Sequence, residues 1–197
     1  MLFFFAFEIE AQQRFKAGLK AGLSASQVAG DTYAGYDKAG FDGGAFVTGK
    51  LNEKWSAQFE IIYIQKGSRH NSNPDKGDMT FYLLQLNYIE VPLLFQYHQK
   101  KFTFEFGPSF GYLQKEREYN EYAELTGIRP FYKTETSYNI GISRTLYKNF
   151  SINWRFSNSF LAIRKHASGA STWYNPGQRN HVLAFTLTYL FGSGETE

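Results

Sequence analysis

The chain has 197 residues, no cysteine and a formal net charge of +3 at pH 7. The absence of cysteine excludes a disulfide framework and thiol-based metal sites or nucleophiles. The positive charge is not concentrated in a dense basic run, so the sequence does not indicate nucleic-acid binding. After the first few positions no run of 18 apolar residues occurs, which excludes a helical membrane protein. The length and the even composition indicate one domain.

The N-terminus begins with a short apolar run, Met1 to Phe7, that ends near Ala11. This pattern is typical of the end of a secretory signal peptide cleaved after Ala11, although the basic region that usually precedes the apolar run is missing. We therefore predict a truncated signal peptide at residues 1–11 and one barrel domain at residues 12–197. A misplaced start codon, or a segment that is not a signal, is the alternative.

Eight segments then alternate apolar and polar residues with a period of two, which is the pattern of a β-strand with two different faces. In chain order they cover approximately 14–24, 40–51, 55–66, 80–98, 102–112, 131–146, 150–160 and 180–191. The fifth is the most regular, with a phenylalanine at every second residue from Phe102 to Phe106. In the second, Gly43-Gly44 predicts a bulge or bend, and in the fourth Pro92 predicts a bulge or an unpaired position.

The connections between these segments alternate strictly in length. Three are very short, at 52–54, 99–101 and 147–149, and four are long, at about 26–40, 67–79, 114–130 and 162–179. Tight turns at one end and large loops at the other are typical of outer-membrane barrels. The sequence therefore predicts an all-β fold, an eight-stranded antiparallel up-and-down transmembrane β-barrel. Its short turns and both termini would be periplasmic, and its long loops extracellular.

The apolar face of each strand could line a lipocalin-like cavity or face lipid. The interior of an eight-stranded barrel is only wide enough for side chains, and it cannot hold the rows of phenylalanine that these strands carry. Aromatic residues also recur near strand ends, where interfacial girdles of a membrane barrel lie; they are Trp55, Tyr63, Tyr97, Phe102, Tyr112, Phe150, Tyr189 and Phe191. We predict that the apolar face meets lipid around a narrow polar lumen, with a soluble ligand-binding barrel as the alternative.

Several ionisable residues fall on the predicted inner face. They are Lys16, Lys20, Lys50, Glu60, Glu90, Glu105 and Arg155. Burying one such charge alone is costly, so we expect these residues to pair across the interior as a structural charge network. A proton or ion path is the alternative. Because eight strands enclose a filled interior, the sequence does not predict an open pore.

Five short segments match a known pattern when they are taken together. They are FKAGLKAGL at 15–23, YIQKG at 63–67, LNYIEVPLL at 86–94, GPSFGYL at 107–113 and YLF at 189–191. On these residues the chain resembles the PorT-like outer-membrane β-barrel family. The resemblance implies a small outer-membrane barrel of a Gram-negative bacterium, from a family with some members implicated in protein secretion and surface gliding, and it implies no catalytic residues. The tail at 192–197 departs from the pattern by extending past the terminal aromatic that barrel-insertion machinery usually reads.

The four histidines, His70, His98, His166 and His181, are the residues to consider for catalysis. His70 and His166 fall in predicted long loops near Ser68 and Ser168, and Asp75, Asp78 and Glu121 could orient a base. A Ser–His–acid triad is recognised by geometry and not by proximity in the chain, so a rim hydrolase of lipids or peptides is only an alternative. His70, Asp75, Asp78 and His166 lack the spacing of a metal site, and we predict no metal and no cofactor.

The third and fourth long loops mix aromatic residues with charged ones, which is typical of contact surfaces. The candidate contacts are Tyr119, Tyr122, Trp173 and Tyr174, with solvated strand tips as the alternative. We predict a non-enzymatic outer-membrane barrel that acts as a structural or accessory subunit of a secretion or outer-membrane assembly complex. Its partners would be outer-membrane lipid and other outer-membrane or secretion-complex proteins, contacted through the loops or the barrel wall, and not nucleic acid.

Overall fold

The chain forms a closed antiparallel barrel in the computed structural model, which describes residues 15–31, 33, 35–125, 129–165 and 177–191. Its eight strands are β1 (Phe15–Ala29), β2 (Lys38–Lys50), β3 (Trp55–His70), β4 (Tyr82–Gln99), β5 (Phe102–Asn120), β6 (Thr134–Tyr147), β7 (Phe150–Ser159) and β8 (Arg179–Leu190). Each strand pairs with the next one in sequence, and β8 pairs with β1. The predicted eight-stranded up-and-down barrel is confirmed. The predicted signal peptide at 1–11 and the tail at 192–197 lie outside the described residues.

The strands are unequal in length, and this makes one side of the barrel taller. β3, β4 and β5 have 16, 18 and 19 residues, whereas β7 and β8 have 10 and 12. About 9–11 residues are enough for a strand to cross a membrane, so β3–β5 extend well beyond that span. Residues 67–70 belong to β3 and residues 114–120 to β5, although the sequence analysis placed both segments in long loops. The sequence prediction missed residues 114–120 because the outward apolar row of β5 stops after Tyr112 while the backbone ladder continues.

The short connections are tight turns at one end of the barrel. Lys100 and Lys148 have φ of 56° and 40°, in the left-handed region that a two-residue hairpin turn requires. The turn between β2 and β3 is stabilised by Asn52, whose Oδ1 accepts hydrogen bonds from the backbone N–H groups of Lys54 and Trp55, both at 2.9 Å. This end is called the short-turn end below, and the opposite end is the long-loop end.

The outer wall is apolar over the middle of every strand. On β5, Phe104, Phe106 and Phe110 are 43%, 50% and 53% exposed, and comparable side chains of the other strands surround them. A soluble protein rarely exposes so large a contiguous apolar surface. The lipocalin-like alternative, which needs this face inside, is not the arrangement of this barrel. Among the described residues, no helix is long and apolar enough to cross a membrane.

The two strand irregularities expected from the sequence have different outcomes. Gly43 and Gly44 continue the registers of β2 with both neighbours, so no bulge occurs there. Gly44 instead allows close approach, since a Cβ at this residue would lie 2.1 Å from the carbonyl oxygen of Ile61. Pro92 lies where the β3–β4 ladder is interrupted, between the Phe59–Leu93 and Ile62–Glu90 pairs, as its missing N–H requires.

Candidate functional site

A buried charge network centred on Arg155 of β7 fills the lumen toward the short-turn end. Its Nη2 and Nη1 donate hydrogen bonds to Oε1 and Oε2 of Glu60 at 2.7 and 2.9 Å, and its Nε donates to Oε1 of Glu105 at 2.7 Å. Lys20 Nζ lies 3.2 Å from Glu60 and 3.9 Å from Asp42. The side chains of these ion pairs are at most 4% exposed. A bidentate arginine pair of this kind fixes both carboxylates in one geometry.

A second ion cluster lies further toward the long-loop end. Lys66 Nζ is 2.6 Å from Glu90 and 3.2 Å from Glu135, and it stands 5.1 Å from the centre of the Tyr88 ring. Glu135 also accepts hydrogen bonds from the hydroxyls of Ser137 and Ser159, at 3.0 and 2.6 Å, and from the amide of Asn180. Each buried charge of this cluster thus has an opposite partner, as burial requires.

The structure brings five of the seven predicted lumen residues together and leaves two outside. Lys20, Glu60, Glu90, Glu105 and Arg155 are buried in the two clusters. Lys16 and Lys50 are exposed instead, because they lie at the ends of β1 and β2 at the short-turn mouth, where water solvates them.

Asp42, Lys66 and Glu135 belong to the network but were not predicted. A signal for Asp42 was present, since it alternates with the outward-facing Phe41 and Gly43, so strand parity alone places it inside. The same parity places Glu135 on the face of Ser137, which the sequence prediction had assigned inward.

Toward the long-loop end the lumen is packed mainly with apolar side chains, beside buried polar ones such as Ser26 and Ser68, which corrects the expectation of a polar lumen throughout. The buried apolar side chains of this cluster are Val28, Ile62, Ile64, Tyr82, Leu84, Leu86, Tyr88, Leu113, Phe131, Ile163 and Val182. At the short-turn end a polar cavity of about 200 Å³ reaches inward to Lys20, Glu60 and Arg155. From the short-turn end to the long-loop end, the interior therefore contains a polar cavity, the ion pairs and a mainly apolar plug. The barrel is filled.

Arg164 joins several connections at the long-loop end. Its guanidinium donates to both carboxylate oxygens of Glu118, at 2.6 and 3.0 Å, and to Oε1 of Gln178 at 2.7 Å. It also lies 4.0 Å from the centre of the Phe131 ring, and Tyr82 donates its hydroxyl to Glu118 at 2.7 Å. These residues, Tyr82, Glu118, Phe131, Arg164 and Gln178, are called the latch below. The latch ties β4 and β5 to the described parts of two long connections, at Phe131 and at Arg164 and Gln178, and joins them in one cap.

The electrostatics of the latch favour its ionised form. Burial alone would raise the pKa of the Glu118 carboxyl, but hydrogen bonds from Arg164 and Tyr82 and the positive charge of Arg164 hold that pKa below its ordinary value. Burial opposes the charge of Arg164 in the same way, yet Glu118 raises the pKa of its guanidinium. The pair is therefore charged at neutral pH.

The histidines do not assemble a triad among the described residues. His70 Nε2 lies 2.7 Å from Asp78 Oδ2, and its ring stacks on Tyr33 with centroids 4.9 Å apart. His98 lies at the other end, 2.7 Å from Ser56 Oγ and 3.0 Å from Thr103 Oγ1. His166 and Ser168 lie outside the described residues. Within the described part of the chain, no group of three or more His, Asp or Glu side chains could hold a metal ion.

The four candidate contact residues fall into two groups. Tyr122 is 86% exposed at the tip of the β5–β6 connection, and Tyr119 is half-buried beside it, in a bridge with Glu124. Trp173 and Tyr174 lie outside the described residues. Tyr119 and Tyr122 thus lie beside each other beyond the latch, where their role as contacts stays a prediction.

A family comparison covers most of the chain. The family model described as the outer membrane protein beta-barrel domain matches residues 10–175. The chain belongs to this family. As an outer membrane β-barrel, it meets the lipid bilayer through its apolar wall. The match is to outer membrane barrels in general and does not single out the PorT-like group.

Solved structures of outer membrane barrels have the same fold. Ail, the attachment invasion locus protein of Yersinia pestis, is 13% identical with a TM-score of 0.51, over 90% of this chain and 99% of that chain. Neisserial surface protein A is 12% identical with a TM-score of 0.53, over 88% and 96% of the two chains. Likeness at such identity concerns the fold alone. A search among curated proteins found no match.

Proposed function

We propose that this outer membrane barrel catalyses no reaction and acts as a structural or accessory subunit that presents a rigid long-loop surface to a partner protein. The latch carries the proposal, because a bidentate, largely buried Arg–Glu pair holds the described parts of two long connections in place. Residues that are already held in place lose less conformational entropy on binding. A preordered surface with Tyr122 exposed at its tip favours contact with another protein.

The PorT-like resemblance supports a partner within a secretion or outer-membrane assembly complex. The filled lumen is consistent with this role, since an accessory subunit needs no passage of its own. The same proposal places the short turns and both termini in the periplasm and the latch outside the cell.

Photo-crosslinking in native membranes tests the contact. We expect a photoreactive phenylalanine analogue at Tyr122 to give a crosslink to one reproducible partner, which the additional change Arg164→Ala weakens by loosening the cap. The matched control is the same analogue at Tyr147, which is 65% exposed at the short-turn end and should give no such product. A barrel that is always recovered alone, with either probe, contradicts the proposal.

A rim hydrolase is the competing function, and one observation favours it. His70 has the carboxylate of Asp78 at 2.7 Å, which is the arrangement of a base and the group that orients it. If the rim were catalytic, His70→Ala and His166→Ala would abolish hydrolysis of lipid or peptide substrates by the purified barrel, while His181→Ala would not. We expect His70→Ala and His166→Ala to leave the slow background rate of hydrolysis unchanged.

A further inference from the structure

The short-turn end carries an unusually one-sided charge. Its exposed cations, called the basic rim below, are Lys16, Lys50, Lys54, Lys100, Lys101, Arg144 and Lys148. Glu53 is the one carboxylate exposed beside them among the described residues. Within that part of the chain, no member of the basic rim has an ion-pair partner. The long-loop end differs, because there acidic residues such as Asp75 and Glu121 alternate with lysines and arginines.

The basic rim lies directly beside an aromatic girdle. Lys54 precedes Trp55, which packs on Tyr97 with centroids 5.1 Å apart, and Lys101 precedes Phe102. Tyr189 packs on Phe150 at 4.8 Å close to Lys148. Aromatic girdles lie at the headgroup level of a bilayer, and flanking lysines extend their ammonium groups toward the interface. The unpaired cations are therefore at the depth of lipid phosphates.

Two grooves in the outer wall open next to the basic rim. One, of about 440 Å³, is lined by Gln99, Lys100, Lys101, Phe102 and Phe104. The other, of about 650 Å³, is lined mainly by apolar residues that include Phe15, Val47 and Ala57, with Lys50 also in its wall. Both combine an apolar surface with lysine. That combination fits an amphiphile with a hydrocarbon chain and a negatively charged head.

We propose that the basic rim binds anionic phospholipid, with the headgroup phosphate at the lysines and an acyl chain in the adjoining groove. The charge complementarity favours an anionic lipid over a zwitterionic one, whose own cation the rim would repel. A second copy of the chain would bring a like-charged rim against this one, which is unfavourable. An acidic protein would neutralise the lysines but would leave the grooves, which open onto the hydrocarbon region, unfilled.

Native mass spectrometry of the purified barrel in nonionic detergent tests this lipid site. The probes are phosphatidylglycerol and phosphatidylethanolamine with identical acyl chains. We expect the wild type to retain phosphatidylglycerol preferentially, and Lys100→Gln/Lys101→Gln to reduce that preference about tenfold or more. The matched control, Lys115→Gln/Lys165→Gln, removes two exposed lysines from the long-loop end and should leave the preference unchanged. The preference should also weaken as salt rises.

Two further variants keep the result decisive. Lys54→Gln/Lys148→Gln repeats the charge test at other turns if the first double variant folds poorly, as judged by heat-modifiable migration. Ala57→Phe fills the larger groove and should lower the number of lipids retained by one. Equal retention of both lipids by the wild type, or an equal loss in the long-loop control, overturns the proposal. So does a lipid-independent dimer that Ala57→Phe dissociates, since a second copy then occupies the groove.

Discussion

Arg155 is the central cation of the buried charge network toward the short-turn end of the lumen. It binds two carboxylates that are 95 and 50 residues away in sequence, and both are buried with it. A pair of this kind is weak evidence for net stability, because desolvation of the ions offsets much of their attraction. Removing one partner has a much larger effect than the pair's net contribution, since it leaves charges buried without compensation.

Arg155→Met should therefore destabilise the barrel by about 3–5 kcal/mol. The substitution leaves Glu60 with Lys20 alone and Glu105 without a cation. Urea-dependent unfolding in lipid vesicles, followed by tryptophan fluorescence and heat-modifiable migration, measures the loss.

Lys16→Met is the matched control for this change. Lys16 is exposed, so its replacement should alter the free energy of unfolding by no more than about 0.5 kcal/mol. If both variants lost the same free energy of unfolding, the loss in Arg155→Met would not come from breaking the buried charge network.

At the scale of elements, the tall side of the barrel and the latch act together. β3, β4 and β5 continue as a three-stranded ladder above the lipid-facing band, and at its end Tyr82 pairs with His70 on one side and with Asn120 on the other. A three-stranded extension of this kind is stable only when one of its faces is apolar and packed. The apolar side chains of Leu84 and Leu86 on its inner face, together with the latch above them, provide the packing that it needs.

The latch should open in acid. The pKa of Glu118 in the folded protein is below its ordinary value of 4.5, so ionisation of this carboxyl stabilises the fold above pH 4.5. That contribution is lost as the pH falls below 4.5 and through the folded pKa, because protonation leaves Arg164 buried without a counter-ion. Hydrogen exchange of the backbone N–H groups of Tyr132 and Gln178, which donate within this cap, measures the opening.

Glu118→Gln provides the control for the acid effect. This variant should show weakened protection already at neutral pH and little further change on acidification. An identical pH dependence in the variant and the wild type would assign the acid sensitivity to other carboxyl groups.

At the scale of the whole molecule, the asymmetry between the two ends predicts the orientation in the membrane. The natural chain has no cysteine, so single cysteines can be introduced without background. In intact cells, Tyr122→Cys should react with a membrane-impermeant maleimide, whereas Lys100→Cys should react only after the outer membrane is opened. Labelling of Lys100→Cys in intact cells would reverse the proposed orientation.

The sequence predicted the faces of the strands better than it predicted contacts. Lys20, Glu60, Glu90, Glu105 and Arg155 were placed inside because side-chain direction alternates with a strict period of two, which is a local property. Lys16 and Lys50 obey the same alternation and are nevertheless exposed. Their burial depends on how far along the barrel axis each residue lies, and that position is set by the stagger of eight strands.

The sequence by itself determined the number of strands, their order, the closed antiparallel fold and the apolar outer wall. It could do so because strand period, turn length and aromatic content are properties of neighbouring residues. Only the tertiary structure decided which charges meet, where the polar lumen gives way to an apolar plug, and that Arg164 fastens the long-loop end to Glu118. These features join residues that are tens of positions apart in sequence. Such residues become neighbours through strand register and barrel closure, and no local sequence pattern encodes either of them.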